Sequence, residues 1–214
     1  MKKQWIVLAV LAAVGGASQA QDIYGGIGFP GLMTLGYAQP ISSNWGVRGE
    51  YAGGLKISKD GVQDGVPYTG TFKANRLGLF GDWFPFGGGF RLVGGVTAND
   101  MEFNLNAVGS GTATINGKTV PMNGQTFNVS VKYPSATPYI GIGYGHQSSV
   151  EKGLGFYADL GVMIGSFTTS VNTSLVGQAG ITQADIDAQT QKARDSVSSL
   201  TIFPSVSMGI VYRY

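Results

Sequence analysis

The stretch from Phe203 to Tyr214 constrains the fold more than any other part of the chain. From Val206 onward every even position is apolar (Val206, Met208, Ile210, Tyr212, Tyr214), while the odd ones carry Ser205, Ser207, Gly209, Val211 and Arg213. Successive side chains of a strand point to opposite faces. This is therefore a strand with one greasy face and one small, mostly polar face, the pattern expected where lipid lies on one side and a narrow polar lumen on the other. Such a strand at the end of the chain predicts the closure of a sheet.

The opposite end predicts where that sheet resides. Lys2 and Lys3 precede an apolar run from Trp5 to Val14, then Gly15, Gly16, Ala17 and the small-x-small triplet Ser18-Gln19-Ala20. This reads as a secretory signal peptide over residues 1–20, cleaved after Ala20, ahead of one outer-membrane barrel domain over residues 21–214. The run is too short to span a bilayer, and no later stretch approaches the roughly 20 residues a spanning helix needs. Without Lys2 and Lys3 the basic residues fall from 14 to 12, against 12 acidic ones, so no nucleic-acid footprint is present. With no cysteine in an exported chain, disulfides, thiolate zinc sites and a lipid-anchored N-terminus are excluded, and no cofactor is expected. Thirty-five glycines with only 12% charge are unusual for a soluble domain, but small residues facing a crowded lumen account for them.

Apolar-alternating segments separated by short turns and long polar loops predict an all-β fold: an eight-stranded antiparallel up-and-down transmembrane barrel with one short helix in the last loop. The strands run from about Ile23 to Phe29, Met33 to Ile41, Trp45 to Ile57, Phe72 to Phe84, from Phe90 past Ala98, around Ile140 to Tyr144, Leu154 to Ile164, and finally Phe203 to Tyr214. Ser42-Ser43-Asn44, Pro85 to Gly89 and Ser148 to Gly153 are tight turns. The segments 58–70, 106–135 and 172–199 are read as loops. Beyond Asn99-Asp100 the apolar residues change phase to Met101, Phe103 and Leu105, which predicts a bulge or a strand that has left the membrane. Trp45, Trp83, Phe90, Tyr144, Phe156, Tyr212 and Tyr214 gather near the turn side, where an interfacial girdle belongs. In the last loop Thr182-Gln183-Ala184-Asp185 forms a capping-box pattern, and Ile186, Ala193 and Val197 follow at helical spacing.

Inward parity places Arg48, Glu50, Lys56, Arg76, Asp82, Arg91, Asp159 and Arg213 inside the barrel, beside Tyr24 and Tyr139. Of these, Arg48, Glu50, Arg76, Asp82, Arg91 and Asp159 are expected to pair as a lumen charge network, with Asp82 and Arg91 near-diagonal across the Gly87 hairpin. An eight-stranded barrel is just wide enough for side chains to fill, so the network is expected to act as a plug; a gated or proton-conducting path is the alternative.

Two further patterns invite a catalytic or cofactor reading. Gly26-Ile27-Gly28-Phe29-Pro30-Gly31 fits a dinucleotide fingerprint, and Glu50 follows about 20 residues on, but Pro30 and an alternating strand stand where a helix is required. The one histidine, His146, lies near Ser148 and Glu151, a trio that could activate a serine for ester hydrolysis as in outer-membrane lipid A deacylases. The turn is placed on the periplasmic side, away from the outer leaflet, which favours a solvated turn histidine.

The Tyr212-Arg213-Tyr214 terminus after Pro204 and Gly209, the Asp82-Trp83-Phe84-Pro85-Phe86-Gly87 hairpin and Pro138-Tyr139-Ile140-Gly141-Ile142-Gly143 together resemble the small outer-membrane barrels of proteobacteria, in the OmpA/OmpW-like superfamily. The resemblance covers essentially the whole chain after residue 20. It implies insertion by the barrel-assembly machinery, with Tyr212 and Tyr214 as the C-terminal assembly signal. It also implies surroundings of outer-membrane lipid and lipopolysaccharide. The closing strand is similar to that of OmpW, whose N-terminal Trp-x-x-Arg signature is not found here, and no peptidoglycan-binding domain is expected after Tyr214. The expected function is that of a monomeric, non-enzymatic, porin-like outer-membrane protein, structural or giving limited passage to small molecules, hydrophobic ones included. Adhesion or partner binding through the long loops is the alternative, and lipid A esterase activity a more distant one.

Overall fold

A computed structural model describes residues 21–63, 66–146, 152–178 and 180–214. The leader expected over residues 1–20 lies outside them. The described strands are β1 (Asp22–Phe29), β2 (Met33–Pro40), β3 (Trp45–Gln63), β4 (Val66–Trp83), β5 (Phe90–Val108), β6 (Thr112–Ile115), β7 (Lys118–Pro121), β8 (Thr126–Lys132), β9 (Ala136–Tyr144), β10 (Gly153–Ile164), β11 (Thr168–Thr173) and β12 (Ile202–Arg213). Among the described residues one helix, α1 (Gln183–Ser198), precedes β12.

Eight of these strands close into an antiparallel ring in the order β1-β2-β3-β4-β5-β9-β10-β12, with β12 returning to β1. The first and last strands pair from Asp22↔Arg213 to Phe29↔Val206, so the alternation of the C-terminal segment does close the sheet. β5 and β9 complete the circle from Phe90↔Tyr144 to Ala98↔Ala136, about the nine to eleven residues a tilted strand needs to cross a bilayer.

Above that level the structure departs from the expected loops. β3 and β4 do not stop near Ile57 and Phe72 but continue as a hairpin to Gln63↔Val66, so the segment 58–70 is largely ladder. β5 also continues, exchanging β9 for β8 as its partner from Glu102↔Lys132 onward, and β11 adds to β8. The segment 106–135 holds the β6–β7 hairpin and β8, and 172–199 holds α1. A sheet thus projects from one side of the ring.

The phase change at Asn99 is explained by this projection. The β4–β5 register runs unbroken from Tyr68↔Ala107 to Trp83↔Leu92, so no bulge is present there. Instead the two faces exchange polarity. Within the ring the outward positions are Leu92, Val96 and Ala98 on β5 and Leu77, Leu79 and Trp83 on β4. Higher up, the outward positions become Asp100, Glu102 and Asn104, and Asn75, Lys73 and Thr71, while the apolar Met101 and Phe72 take the inner face. At constant register such an exchange is expected of a strand whose outer face passes from apolar to aqueous surroundings. Among the described pairings the one register shift lies in β3, between Ala52 and Leu55, where Gly54 sits at φ +82°. That bulge reverses the parity above it. Lys56, expected inside the barrel, is therefore outside and exposed, and Leu55 packs inward.

Candidate functional site

The inward residues of the turn-side half form one buried charge network. Arg48 on β3 stands at its centre, with Nε 2.9 Å from Asp82 Oδ2 on β4, and Nη1 3.2 Å from Asp159 Oδ2 on β10 and 3.3 Å from Glu50 Oε2. Arg91 on β5 pairs through Nη2 with Asp159 Oδ1 at 2.7 Å, lies 3.4 Å from Asp82 Oδ1, and donates to the Gly145 carbonyl at 2.6 Å. Arg76 on β4 reaches the other oxygen of Glu50 and donates to Ser205 Oγ on β12 at 2.7 Å. Tyr24 Oη on β1 donates to Glu50 Oε2 at 3.1 Å. Three guanidinium groups and three carboxylates from four strands therefore span the lumen, with no net charge when all are ionised. The Arg48 guanidinium also lies over Phe80, 4.9 Å from the ring centroid.

These six residues are between 0 and 6% exposed. Towards the loop side the lumen turns apolar, with Ala74, Phe80, Val93, Met101, Tyr133, Tyr139 and Met163 buried and Leu55, Phe72, Phe167 and Phe203 packed against them.

Inward glycines make room for these large groups. The Tyr24 ring lies over Gly36, Tyr139 over Gly161, and a Cβ on Gly209 would stand 2.8 Å from Tyr157 Cε1. At Gly143 a Cβ would stand 2.8 Å from Arg91 Cζ and would also collide with Asp159 Oδ1. The high glycine content is thus the space in which the network lies.

A second cluster closes the turn-side end, and the sequence reading missed it. Asp22, fully buried, accepts from Arg213 Nε at 2.6 Å and Nη2 at 2.7 Å, and its Oδ2 lies 3.0 Å from His146 Nδ1. Tyr24 and Tyr157 flank the imidazole at ring-centroid distances of 4.6 and 5.5 Å. The expectation of a solvated turn histidine is therefore corrected: His146 is 4% exposed and folds inward, at a φ of +62°. Ser148 and Glu151 lie outside the described residues. Starting β1 one residue earlier, at Asp22 rather than Ile23, sets this carboxylate on the face of Tyr24 and opposite Arg213.

The external lobe has its own core. Ile115, Val120, Val171, Leu175, Ile181 and Ile186 are buried together, which seats α1 on β11 and the β6–β7 hairpin. Thr182 caps α1 in a reciprocal capping box with Asp185. The Asp185 carboxylate also accepts from Asn116 Nδ2 at 2.8 Å and Lys118 Nζ at 2.9 Å. These bonds, from Asn116 first, then Lys118 and Thr182, hold its carboxyl well below the ordinary value of 3.8. A depressed folded-state pKa gives stabilisation that is complete above that ordinary value and fades as pH falls below it. Protection of the α1 amides relative to their intrinsic exchange rates should therefore fall below about pH 4, and Asp185→Asn should show the lowered protection already at pH 7. Identical protection factors at pH 7 and pH 3 in the parent protein would contradict this role.

Tyr212 and Tyr214 stand on the outer face at the turn-side rim, 52 and 44% exposed, in one belt with the stacked pair Trp45 and Trp83.

No protein-family model matches the chain, and no curated protein matches it. Among solved structures, the crystal structure of CarO from Acinetobacter baumannii matches with a TM-score of 0.55 at 18% identity, covering 92% of this chain and 98% of that one. The crystal structure of CarO2 from the same organism matches with a TM-score of 0.56 at 20% identity, over the same shares of both chains. At such identities the likeness concerns the fold, an eight-stranded barrel.

Proposed function

We propose that this chain is an integral outer-membrane β-barrel that stands closed at rest. Its lumen is a structural plug, and it presents an ordered external lobe. The single observation that carries the reading is the burial of six charged side chains in one neutral network across the lumen, which an open pore would leave wet. Membrane residence is supported by the outward belt of large apolar side chains, among them Ile27, Leu35, Leu79, Ile140, Leu160 and Ile210, each more than half exposed. The expected partners are outer-membrane lipid, lipopolysaccharide and, during insertion, the assembly machinery. The barrel is monomeric, carries no cofactor and is not an enzyme.

Liposomes carrying the refolded barrel test the plug: they should swell in small amino acids or sugars no faster than empty ones. Faster swelling would favour limited passage of small molecules. Partner binding by the external lobe is the second reading, favoured by its own buried core and capped helix. The assembly role proposed for Tyr212 and Tyr214 predicts that replacing both with serine lowers the amount of folded barrel in the outer membrane severalfold, while detergent-refolded protein melts nearly as before. An unchanged amount would exclude that role.

A further inference from the structure

Just above the apolar belt, the outer face of the projecting sheet carries a row of charges with no part in closing the barrel. Tyr51 and Leu77 are the uppermost large side chains of the continuous apolar belt on β3 and β4, and Tyr51 Oη donates to Asn75 Oδ1 at 3.2 Å at the polar edge. One step higher, register sets Lys56 opposite Lys73, Lys73 opposite Glu102, and Glu102 opposite Lys132. Asp100, one step nearer the belt, pairs with Lys73 at 2.5 Å, and Glu102 lies 3.4 Å from Lys132. Lys56 has no ion pair among the described residues. β1, β2, β9, β10 and β12 carry no lysine or arginine at any outward position, so the row belongs to one side of the barrel.

Like charges directly opposite one another weaken a ladder. The Lys56–Lys73 pair is thus a liability for folding, and its position at the rim of a lipid-facing surface indicates what offsets it. We infer that the row binds the phosphorylated headgroup of an outer-leaflet glycolipid, with Lys56 and Lys73 taking one phosphate and Lys132 a second. The acyl chains lie below, against Tyr51, Leu77, Leu79 and Val96. Adjacent strands are roughly 4.8 Å apart, so two ammonium groups on neighbouring strands can clamp one phosphate, and Lys132 is roughly 10 Å further along, within reach of a second phosphate on a disaccharide. Long lysine stems keep their heads in the polar layer while their methylenes lie on apolar surface. This site rests on the outer-membrane reading.

The test uses residues 21–214 refolded in zwitterionic detergent, with bisphosphorylated lipid A, its monophosphoryl form and inorganic phosphate as probes, read by native mass spectrometry. The parent protein should hold bisphosphorylated lipid A. The triple variant Lys56→Gln, Lys73→Gln, Lys132→Gln should bind at least about tenfold more weakly, and the monophosphoryl form should bind the parent at intermediate strength. Should the triple variant refold poorly, Lys56→Gln alone serves: relieving the like-charge pair, it should melt no lower than the parent yet bind about threefold more weakly. Unchanged affinity in these variants, an equal loss in the turn-side Lys152→Gln, or displacement by inorganic phosphate would overturn the site. Fractionation separates the two claims. A chain missing from the outer membrane defeats the outer-membrane reading, whereas a resident barrel whose lipid A binding ignores these lysines defeats only this inference.

Discussion

Replacing Arg48 with alanine is expected to lower the thermal stability of the refolded barrel by about 3–5 kcal/mol, because it strips the shared cation from Glu50, Asp82 and Asp159 at once. Three buried carboxylates would then share Arg76 and Arg91. They would have to take up protons or admit water, and either response loosens the lumen. Asp82→Ala acts in the same direction with a smaller effect, since Asp159 still serves both Arg48 and Arg91. The reference substitution is Asp60→Ala on the projecting hairpin, where the exposed carboxylate accepts only a 2.6 Å bond from Thr69 Oγ1 in the described structure. Surface changes of that kind stay within about 0.5 kcal/mol. Loss of the heat-modifiable gel band on heating measures all three, and equal midpoints for Asp82→Ala and Asp60→Ala would remove the network from the account of stability.

The second large effect is steric. Gly143→Ala puts a methyl group where Arg91 and Asp159 lie across the backbone, with Arg91 Cζ only 2.8 Å away. The pair must shift or separate, and overpacking of this sort costs about 1–3 kcal/mol before the broken ion pair is added. Gly94→Ala is the matched control, on the outer face of the neighbouring strand β5, where a Cβ meets nothing within 4 Å. There the added side chain should be neutral or mildly stabilising, since glycine is a poor strand residue. Equal tolerance at both positions would mean that the packing around Arg91 and Asp159 is looser than the geometry indicates.

The contrast between these glycines shows which parts of the molecule period-two reading can reach. Alternation over residues 205–214 identified the closing strand, because lipid on one face and a crowded lumen on the other impose opposite demands on neighbouring positions. The same parity places Arg48, Glu50, Arg76, Asp82, Arg91 and Asp159 on inner faces, where the structure has them in contact. It fails wherever the surroundings or the register change. Lys56 fell on the wrong face because a bulge at Ala52/Leu55 inserts an extra step that no local pattern announced. The phase change at Asn99 resembled a bulge, although the register there is continuous and the solvent changes instead. Asp22 lies one residue before the alternation that begins at Ile23, and His146, beside a turn, reads as solvated until tertiary contacts fold it inward. The segment 106–135 pairs with a strand far away in sequence, while 58–70 is a local hairpin whose Lys-, Asp- and Gly-rich composition has low strand propensity, so both segments read as loops.

A barrel of this size gains its rigidity from what fills it, and here the filling is a buried, ion-paired network of three cations and three anions. The apolar layer above the network, from Phe72 to Phe203, seals the loop side, and the Asp22–His146–Arg213 cluster seals the turn side. Planar-bilayer recording of the refolded protein, with insertion verified by the compact gel band, tests this closed lumen most directly. The account predicts a silent, inserted barrel across the accessible voltage range. Reproducible unitary steps from the parent protein would contradict it and make the same six charges the lining of a conducting path.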